Sequence, residues 1–324
     1  MIILNKEKLK KVYTIFIIIL SCSWGGIVLI YGFVLWSIIY ISNLLFRKLP
    51  IDTKYSGIVK TYVYKKIKNK ELKLDIYYPE EKKEMYPIIF FAHGGGWVSG
   101  FRNQKNNVSW CKFLASRGFA VVSIDYRLGI SHTMNEILSD YTDALNYIKN
   151  NSKNLYLDKN NILLMGLSAG GHLTLLYYAY NTFVKNIQHV EGIKGVILYY
   201  TPANLKHLFD KEVKSIFAKV ATVTTLKGLP TPSKEGEYLY YSPIFWINEN
   251  MKPVLLVHGK EDKTVPFSSS IELLKKLREK GIQTKILVHK NGDHAFEFEN
   301  NDIQTIKILN ETVKFIRGLM KNED

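Results

Sequence analysis

The chain has 324 residues, of which 47% are hydrophobic and 23% are charged, a composition too apolar for a disordered protein. Its two cysteines, Cys22 and Cys111, exclude a disulfide scaffold and a Cys-rich zinc site. The 44 Lys and Arg residues outnumber the 29 Asp and Glu residues, for a net charge of +15. Only six of these cations are arginines and the lysines are scattered, so we expect a solvated lysine surface and no nucleic-acid partner.

An uncharged, apolar segment covers residues 12–46. About 20 apolar residues suffice to span the hydrocarbon core of a bilayer. We therefore predict that residues 1–48 form a membrane anchor, that membrane lipid is a partner of this segment, and that the protein is located at the membrane. A single span is favoured over a helical hairpin through Gly25-Gly26 and over a lipoprotein or cleaved signal. Lysines flank both ends of the segment, so the side of the membrane that holds the rest of the chain stays open.

From residue 50 onward, short β-rich runs alternate with helical patterns, which is typical of a mostly parallel sheet with helices on both faces. In chain order, strands are predicted at residues 58–65, 72–78, 87–92, 119–125, 162–166, 195–200, 253–258 and 284–288. Helices are predicted at residues 134–150, 173–180, 269–280 and 302–320. Residues 201–241 break this rhythm with short amphipathic pieces. We expect them to form a cap-like insertion over a site in a catalytic domain that covers residues 50–324.

Residues 166–170 (GLSAG) fit the G-x-S-x-G motif and lie between a predicted strand and a helical pattern. A strand-to-helix elbow holds a serine Oγ above the edge of the sheet, where it can act as a nucleophile. The alternative is a glycine-serine turn that simply ends the strand. The context favours Ser168 as a nucleophile.

Three glycines follow the predicted strand at 87–92, within the run HGGGW at residues 93–97. Such a loop can turn several backbone N–H groups toward one point, and aligned N–H donors stabilise the oxyanion of acyl transfer. A phosphate-binding loop is disfavoured because neither G-x-G-x-x-G nor a Walker pattern is present. His93 ends the strand ahead of the nucleophile, so we predict that it orients the loop and is not a base.

A candidate acid and a candidate base follow two later strands. Asp262 comes just after the predicted strand at 253–258, and His294 just after the one at 284–288, so both fall on loops at the sheet edge where Ser168 lies. The order Ser, Asp, His is the chain order of α/β hydrolases. The competing carboxylates and imidazoles, which are less well placed, are Glu261, Asp293, His289 and His172.

Five motifs occur in a characteristic order: HGGGW (93–97), DYRL (125–128), GLSAGGH (166–172), HGKEDKTVP (258–266) and DHAF (293–296). Together they resemble the α/β hydrolases, most closely the hormone-sensitive-lipase-like carboxylesterases and the related bacterial feruloyl-esterase-like and kynurenine-formamidase-like hydrolases. The resemblance implies a catalytic triad of Ser168, Asp262 and His294. It also implies an oxyanion hole formed by the backbone N–H groups of Gly95, Gly96 and Ala169. After DYRL the chain has Gly129-Ile130 where the lipase branch has Ala-Pro-Glu, so the subfamily and the substrate stay open.

The sequence therefore predicts an α/β-hydrolase fold and a membrane-anchored serine hydrolase. It would cleave carboxylic esters, with short acyl chains favoured, through an acyl-enzyme. A small-molecule ester is the expected substrate, and no metal or organic cofactor is expected. The alternatives are an acyltransferase or a peptidase of the same fold, or a non-catalytic membrane-anchored binding module.

Overall fold

The computed structural model describes residues 47–51 and 53–320, and the elements are numbered within that part of the chain. The predicted anchor at residues 12–46 lies outside the described residues. Within them, no helix combines the length and the hydropathy that a membrane crossing requires. The strands are β1 (Val59–Ile67), β2 (Lys70–Tyr77), β3 (Tyr86–Ala92), β4 (Ala120–Ile124), β5 (Leu157–Leu167), β6 (Ile193–Tyr199), β7 (Val254–Gly259) and β8 (Thr284–His289).

These strands form one eight-stranded sheet in the order β1-β2-β4-β3-β5-β6-β7-β8. The six strands from β4 to β8 run parallel, whereas β2 pairs antiparallel with both β4 and β1. Because the parallel strands end at one edge, the loops that follow β3, β5, β6, β7 and β8 meet there. The predicted mostly parallel sheet is confirmed, and this edge positions the site.

All but the last of the longer helices lie between strands in the chain, and the last follows β8. They are α1 (Lys105–Ala115), α2 (Met134–Asn150), α3 (Ala169–Phe183), α5 (Ile216–Leu226), α7 (Phe267–Glu279) and α9 (Ile303–Leu319), with short helices α4 (Ile187–Val190), α6 (Glu235–Tyr240) and α8 (Phe296–Glu299). The helix at residues 134–150 matches its prediction, and a capping box between Thr133 and Glu136 explains its sharp start. Helix α1 was not predicted. It has no acidic residue in its first turn and no side-chain cap, and two asparagines weaken its helical pattern.

The core lies on both faces of the central strands. Residues 88–92 of β3 are fully buried, as their continuous apolar run predicts. Strand β5 starts five residues earlier than its prediction at residue 162. The first half of β5 is polar and therefore was not predicted as a strand. It nevertheless pairs with β3, where Tyr86 lies opposite Leu157.

Residues 201–241 lie between β6 and β7 and contain two 3₁₀ turns, Leu205–Phe209 and Pro232–Lys234, together with α5 and α6. Their apolar side chains divide into two groups. Leu205, Leu208 and Leu226 are buried in the core. Ile216, Phe217 and Val220, on α5, are exposed. The segment thus packs on the core through one set of apolar residues and presents another set to solvent.

Candidate active site

Ser168 occupies the turn between β5 and α3. Its backbone has φ 50° and ψ −116°, a conformation that a non-glycine residue adopts only under local constraint. The turn is tight because the backbone of α3 approaches β3: a Cβ at Gly170 would collide with the carbonyl oxygen of Ala92. The G-x-S-x-G run therefore forms the strand-to-helix elbow that the sequence predicts.

A continuous hydrogen-bonded series runs from Ser168 through His294 to Asp262. The Ser168 hydroxyl and His294 Nε2 are 3.0 Å apart, and His294 Nδ1 donates to Asp262 Oδ2 at 2.8 Å. The carboxylate accepts from the Nδ1–H group, so in the tautomer that fits, Nε2 has no proton and can accept the one from the serine. The arrangement can therefore take a proton from Ser168 Oγ and donate it to another atom at the site.

Asp262 is fixed by its own loop as well. Its other oxygen, Oδ1, accepts the backbone N–H groups of Thr264 at 2.8 Å and Val265 at 2.9 Å. The competing carboxylate Asp293 instead accepts the backbone N–H groups of Lys263 and His294. It thus shapes the loop and does not bond the imidazole. Glu261 is exposed.

A second imidazole, His258, contacts the same carboxylate and was not predicted. Its Nε2 lies 3.1 Å from both Asp262 Oδ2 and the carbonyl oxygen of Val265, two acceptors that place the proton on Nε2. Its Nδ1 then accepts from the Ser270 hydroxyl at 2.7 Å. The only sequence signal was the position of His258 at the start of the HGKED run.

The other imidazoles near the sheet edge have separate partners. His172 donates to the carbonyl oxygen of Tyr241 at 2.6 Å, and His289 donates to Asp302 at 3.1 Å. His93 is buried, donates to the carbonyl oxygen of Gly94 at 2.7 Å and stacks on Tyr126 with ring centroids 4.2 Å apart. Within the described chain, these contacts assign His172, His289 and His93 to structural positions.

The HGGGW loop lies beside the elbow. A Cβ at Gly94 would lie 3.5 Å from Ser168 Cβ, and Gly95 and Gly96 have φ values of 124° and 60°, which favour glycine. On the other side of Ser168, the N–H of Ala169 belongs to the first turn of α3, where a helix supplies no acceptor. The glycine loop and the first turn of α3 thus flank the serine.

Helix α5 covers the outer side of this loop. A Cβ at Gly96 would lie 2.9 Å from Phe217 Cε1 and 3.0 Å from Ala221 Cβ. Phe217 itself is 44% exposed. The glycine loop is therefore held between the elbow and a helix that presents apolar side chains to the solvent beside the site.

Electrostatics favour a charged acid and a tuned base. Burial opposes ionisation of Asp262, but the charge of His294 and the hydrogen bonds from His258 and His294 outweigh it and hold the pKa of this carboxyl far below its ordinary value. Burial likewise lowers the pKa of His294. The charge of Asp262 and its hydrogen bond have the larger combined effect, so the pKa of His294 is raised above 6.5.

Behind His294 lie two residues without a sequence signal. The ring of Tyr200 packs against the imidazole, with centroids 4.5 Å apart. The Tyr200 hydroxyl donates to Glu297 Oε1 at 2.6 Å, and the carboxyl of Glu297 is fully buried. Tyr200 follows β6 and Glu297 lies in α8, so the fold alone brings them together.

Comparison with known proteins places the chain among hydrolases. Residues 74–277 match the model of the BD-FAE family, which covers more than half of the chain. A thermophilic esterase from the planctomycete Thermogutta terrifontis, solved with bound butyrate, is 25% identical and has a TM-score of 0.65. The match covers 83% of this chain and 96% of that esterase. The predicted α/β-hydrolase fold is confirmed.

Two curated relatives are also esterases by name. The protein named "Probable isoprenylcysteine alpha-carbonyl methylesterase" of Oryza sativa is 27% identical over 238 residues, which are 70% of this chain and 56% of that protein. Esterase LipC of Mycobacterium tuberculosis is 25% identical over 200 residues, which are 59% of this chain and 48% of LipC. The chain thus spans about half the length of the curated relatives it matches.

Proposed function

Because the chain belongs to the BD-FAE family of α/β-hydrolase carboxylesterases, we propose that it is a serine esterase that works through an acyl-enzyme. The observation that carries this proposal is the hydrogen-bonded series from Ser168 through His294 to Asp262. A nucleophile, a base and an orienting acid at these distances are the groups that a Ser-His-Asp triad uses for acyl transfer.

In the first half of the reaction, Ser168 Oγ attacks the ester carbonyl carbon while its proton passes to His294 Nε2. The carbonyl oxygen becomes an oxyanion. We propose that hydrogen bonds from the backbone N–H groups of Gly95, Gly96 and Ala169 stabilise it. Asp262 stabilises the imidazolium. The tetrahedral intermediate then collapses, the bond to the alcohol oxygen breaks, and His294 gives that oxygen its proton.

In the second half, water attacks the acyl-enzyme. His294 accepts a proton from the water as its oxygen bonds to the acyl carbon, and a second tetrahedral intermediate forms at the same oxyanion site. Collapse of this intermediate breaks the bond to Ser168 Oγ. The imidazolium returns its proton to the serine, the acid leaves, and the enzyme regains its starting state.

We assign a small carboxylic ester with a short acyl chain as the substrate class. The solved esterase holds butyrate, a short acyl group, and the relative from Oryza sativa is named for a methyl ester, whose alcohol part is small. In this chain, the cap at residues 201–241 presents Phe217 of α5 beside the glycine loop. One helix covers little surface, so it suits a short apolar group better than a long channel.

The uncharged segment at residues 12–46 supports membrane anchoring of this esterase domain. Its length exceeds what one span needs, and the catalytic motifs begin only at residue 93. Extraction of isolated membranes with alkaline carbonate tests the anchor. We expect the full-length protein to stay in the membrane pellet and a chain that starts at Pro50 to remain in the supernatant. Release of the full-length protein by carbonate would contradict the anchor.

The serine mechanism is tested by Ser168→Ala, with the exposed Ser233→Ala as a matched control. We expect Ser168→Ala to lose labelling by a fluorophosphonate and to lose about 10³–10⁶-fold in kcat on p-nitrophenyl acetate. Circular dichroism should show both variants folded, and Ser233→Ala should retain labelling and turnover. Labelling of Ser168→Ala at the wild-type rate would move the nucleophile elsewhere.

A further inference from the structure

Glu297 is a buried acid that the triad chemistry does not use. Its side chain has no exposed surface, although it carries a carboxyl group. The Tyr200 hydroxyl and Trp110 Nε1 both donate to Oε1, at 2.6 and 3.3 Å. The second oxygen, Oε2, is buried and has no hydrogen-bond partner among the described residues. Burying such a group costs stability, so its presence three residues after His294 needs an explanation.

Tyr200 connects this acid to the base. One end of the Tyr200 side chain bonds Glu297, and its ring face lies against the His294 imidazole with centroids 4.5 Å apart. The backbone of Tyr200 has φ 38°, and its N–H donates to the carbonyl oxygen of Val257 at 2.7 Å. The tyrosine is therefore fixed at both its backbone and its hydroxyl.

We propose that Glu297 is a positioning residue for the esterase reaction: it holds Tyr200 against His294 and, as an anion, adds a second negative charge behind the imidazole. This inference rests on the proposed role of His294 as the base. The charge favours the imidazolium, which forms when Ser168 loses its proton and disappears when the leaving group takes that proton.

The surroundings of Glu297 allow its charge to change near neutral pH. Burial raises the pKa of the Glu297 carboxyl to about 7, against the hydrogen bonds from Tyr200 and Trp110 and the charge of His294, which lower it. The titratable groups that face it are His294, from the loop that precedes α8, and Tyr200 and Tyr199, from the end of β6. Asp262 and Asp293 act on the same imidazole from the loops after β7 and β8.

Glu297→Gln tests the charge while keeping the shape and an oxygen that can accept from Tyr200. The negative charge of Glu297 raises the pKa of His294, so its removal should lower that pKa. We expect the acid limb of the kcat/KM profile to move to lower pH by about one unit. We expect kcat on the alkaline plateau to fall about 10-fold, because the imidazolium loses stabilisation. Exposed Glu249→Gln, the control, should leave both unchanged.

Tyr200→Phe tests the hydrogen bond between Tyr200 and Glu297 from the tyrosine side. Loss of the hydroxyl removes a hydrogen bond that lowers the pKa of Glu297, so the carboxyl stays neutral to higher pH. We expect Tyr200→Phe to resemble Glu297→Gln at pH 7 and to approach wild-type kcat above about pH 9. The deficit of Glu297→Gln should persist at every pH, because glutamine cannot ionise.

A purely structural role for Glu297 predicts a different result. In that case Glu297→Gln would lower kcat equally at all pH values without moving the acid limb, and Tyr200→Phe would not recover at high pH. Either result overturns the inference. If Glu297→Gln fails to fold, the recovery of Tyr200→Phe decides by itself. Ser168→Ala distinguishes a failure of this inference from a failure of the proposed function. Full turnover by Ser168→Ala would show that the triad is not catalytic, and the inference about Glu297 would then lose its basis.

Discussion

His258 and His294 hydrogen-bond to the same oxygen of one carboxylate, Asp262 Oδ2, at 3.1 and 2.8 Å. The two imidazoles have different surroundings. His258 is fully buried and bonded at both nitrogens, whereas His294 is partly exposed and bonds Ser168. Asp262 therefore has one rigid neighbour on the core side and one neighbour that can exchange a proton with the site.

This difference predicts unequal costs for replacing the two histidines. His294→Gln should lower kcat by about 10³–10⁶-fold with little loss of stability, because the base is removed. His258→Gln should lower kcat by only about 10-fold while lowering the melting temperature, because it breaks buried hydrogen bonds. Steady-state kinetics and thermal unfolding of both variants measure this. A larger kcat loss for His258→Gln would exchange their roles.

A second prediction separates the two carboxylates near His294. Asp262→Asn should fold and lose activity on the order of 10⁴-fold, because an amide cannot hold the imidazole in the reactive tautomer. Asp293→Asn should stay within a few-fold of wild type, since Asp293 accepts backbone N–H groups and does not bond the ring. A greater loss for Asp293→Asn on p-nitrophenyl acetate would reassign the acid.

The third prediction concerns stability and pH. The pKa of Glu297 is raised in the fold from 4.5 to about 7, so the folded state binds a proton that the unfolded state releases. That contribution to stability is complete below pH 4.5 and is lost as the pH rises through about 7. Glu297→Gln removes this dependence. Relative to wild type, the variant should gain up to about 3 kcal/mol in the free energy of unfolding between pH 4.5 and pH 8. Urea unfolding at both values measures the gain, and a constant difference would contradict it.

The fourth prediction concerns acyl chain length. Each methylene that is buried adds about 0.8 kcal/mol of binding, so kcat/KM should change gradually from acetyl to about hexanoyl esters and then fall. Phe217→Ala should weaken this dependence, because Phe217 lies beside Gly96 at the edge of the site. Exposed Ile303→Ala, on α9, serves as the control. A kcat/KM that keeps rising through palmitoyl p-nitrophenyl esters would refute the small-pocket assignment.

Much of the architecture follows from local patterns in the sequence. Strands buried on both faces must be continuously apolar, which is why residues 87–92 predict β3. The glycines around Ser168 predict an elbow, because no larger residue fits where α3 crosses β3. Parallel strands end at one edge, so an Asp after β7 and a His after β8 were expected near Ser168. The structure places all three within one hydrogen-bonded series.

The surroundings of the base were decided by the tertiary structure. Tyr200 and Glu297 are 97 residues apart, and Trp110 and Glu297 are 187 apart, so no local pattern links them. The sequence also did not predict which face of α5 is exposed, because apolar residues occur on both sides of that helix. Spacing along the chain predicts which side chains share an edge or a face. Whether a carboxyl is desolvated, and which imidazole it interacts with, depends on how distant segments pack around it.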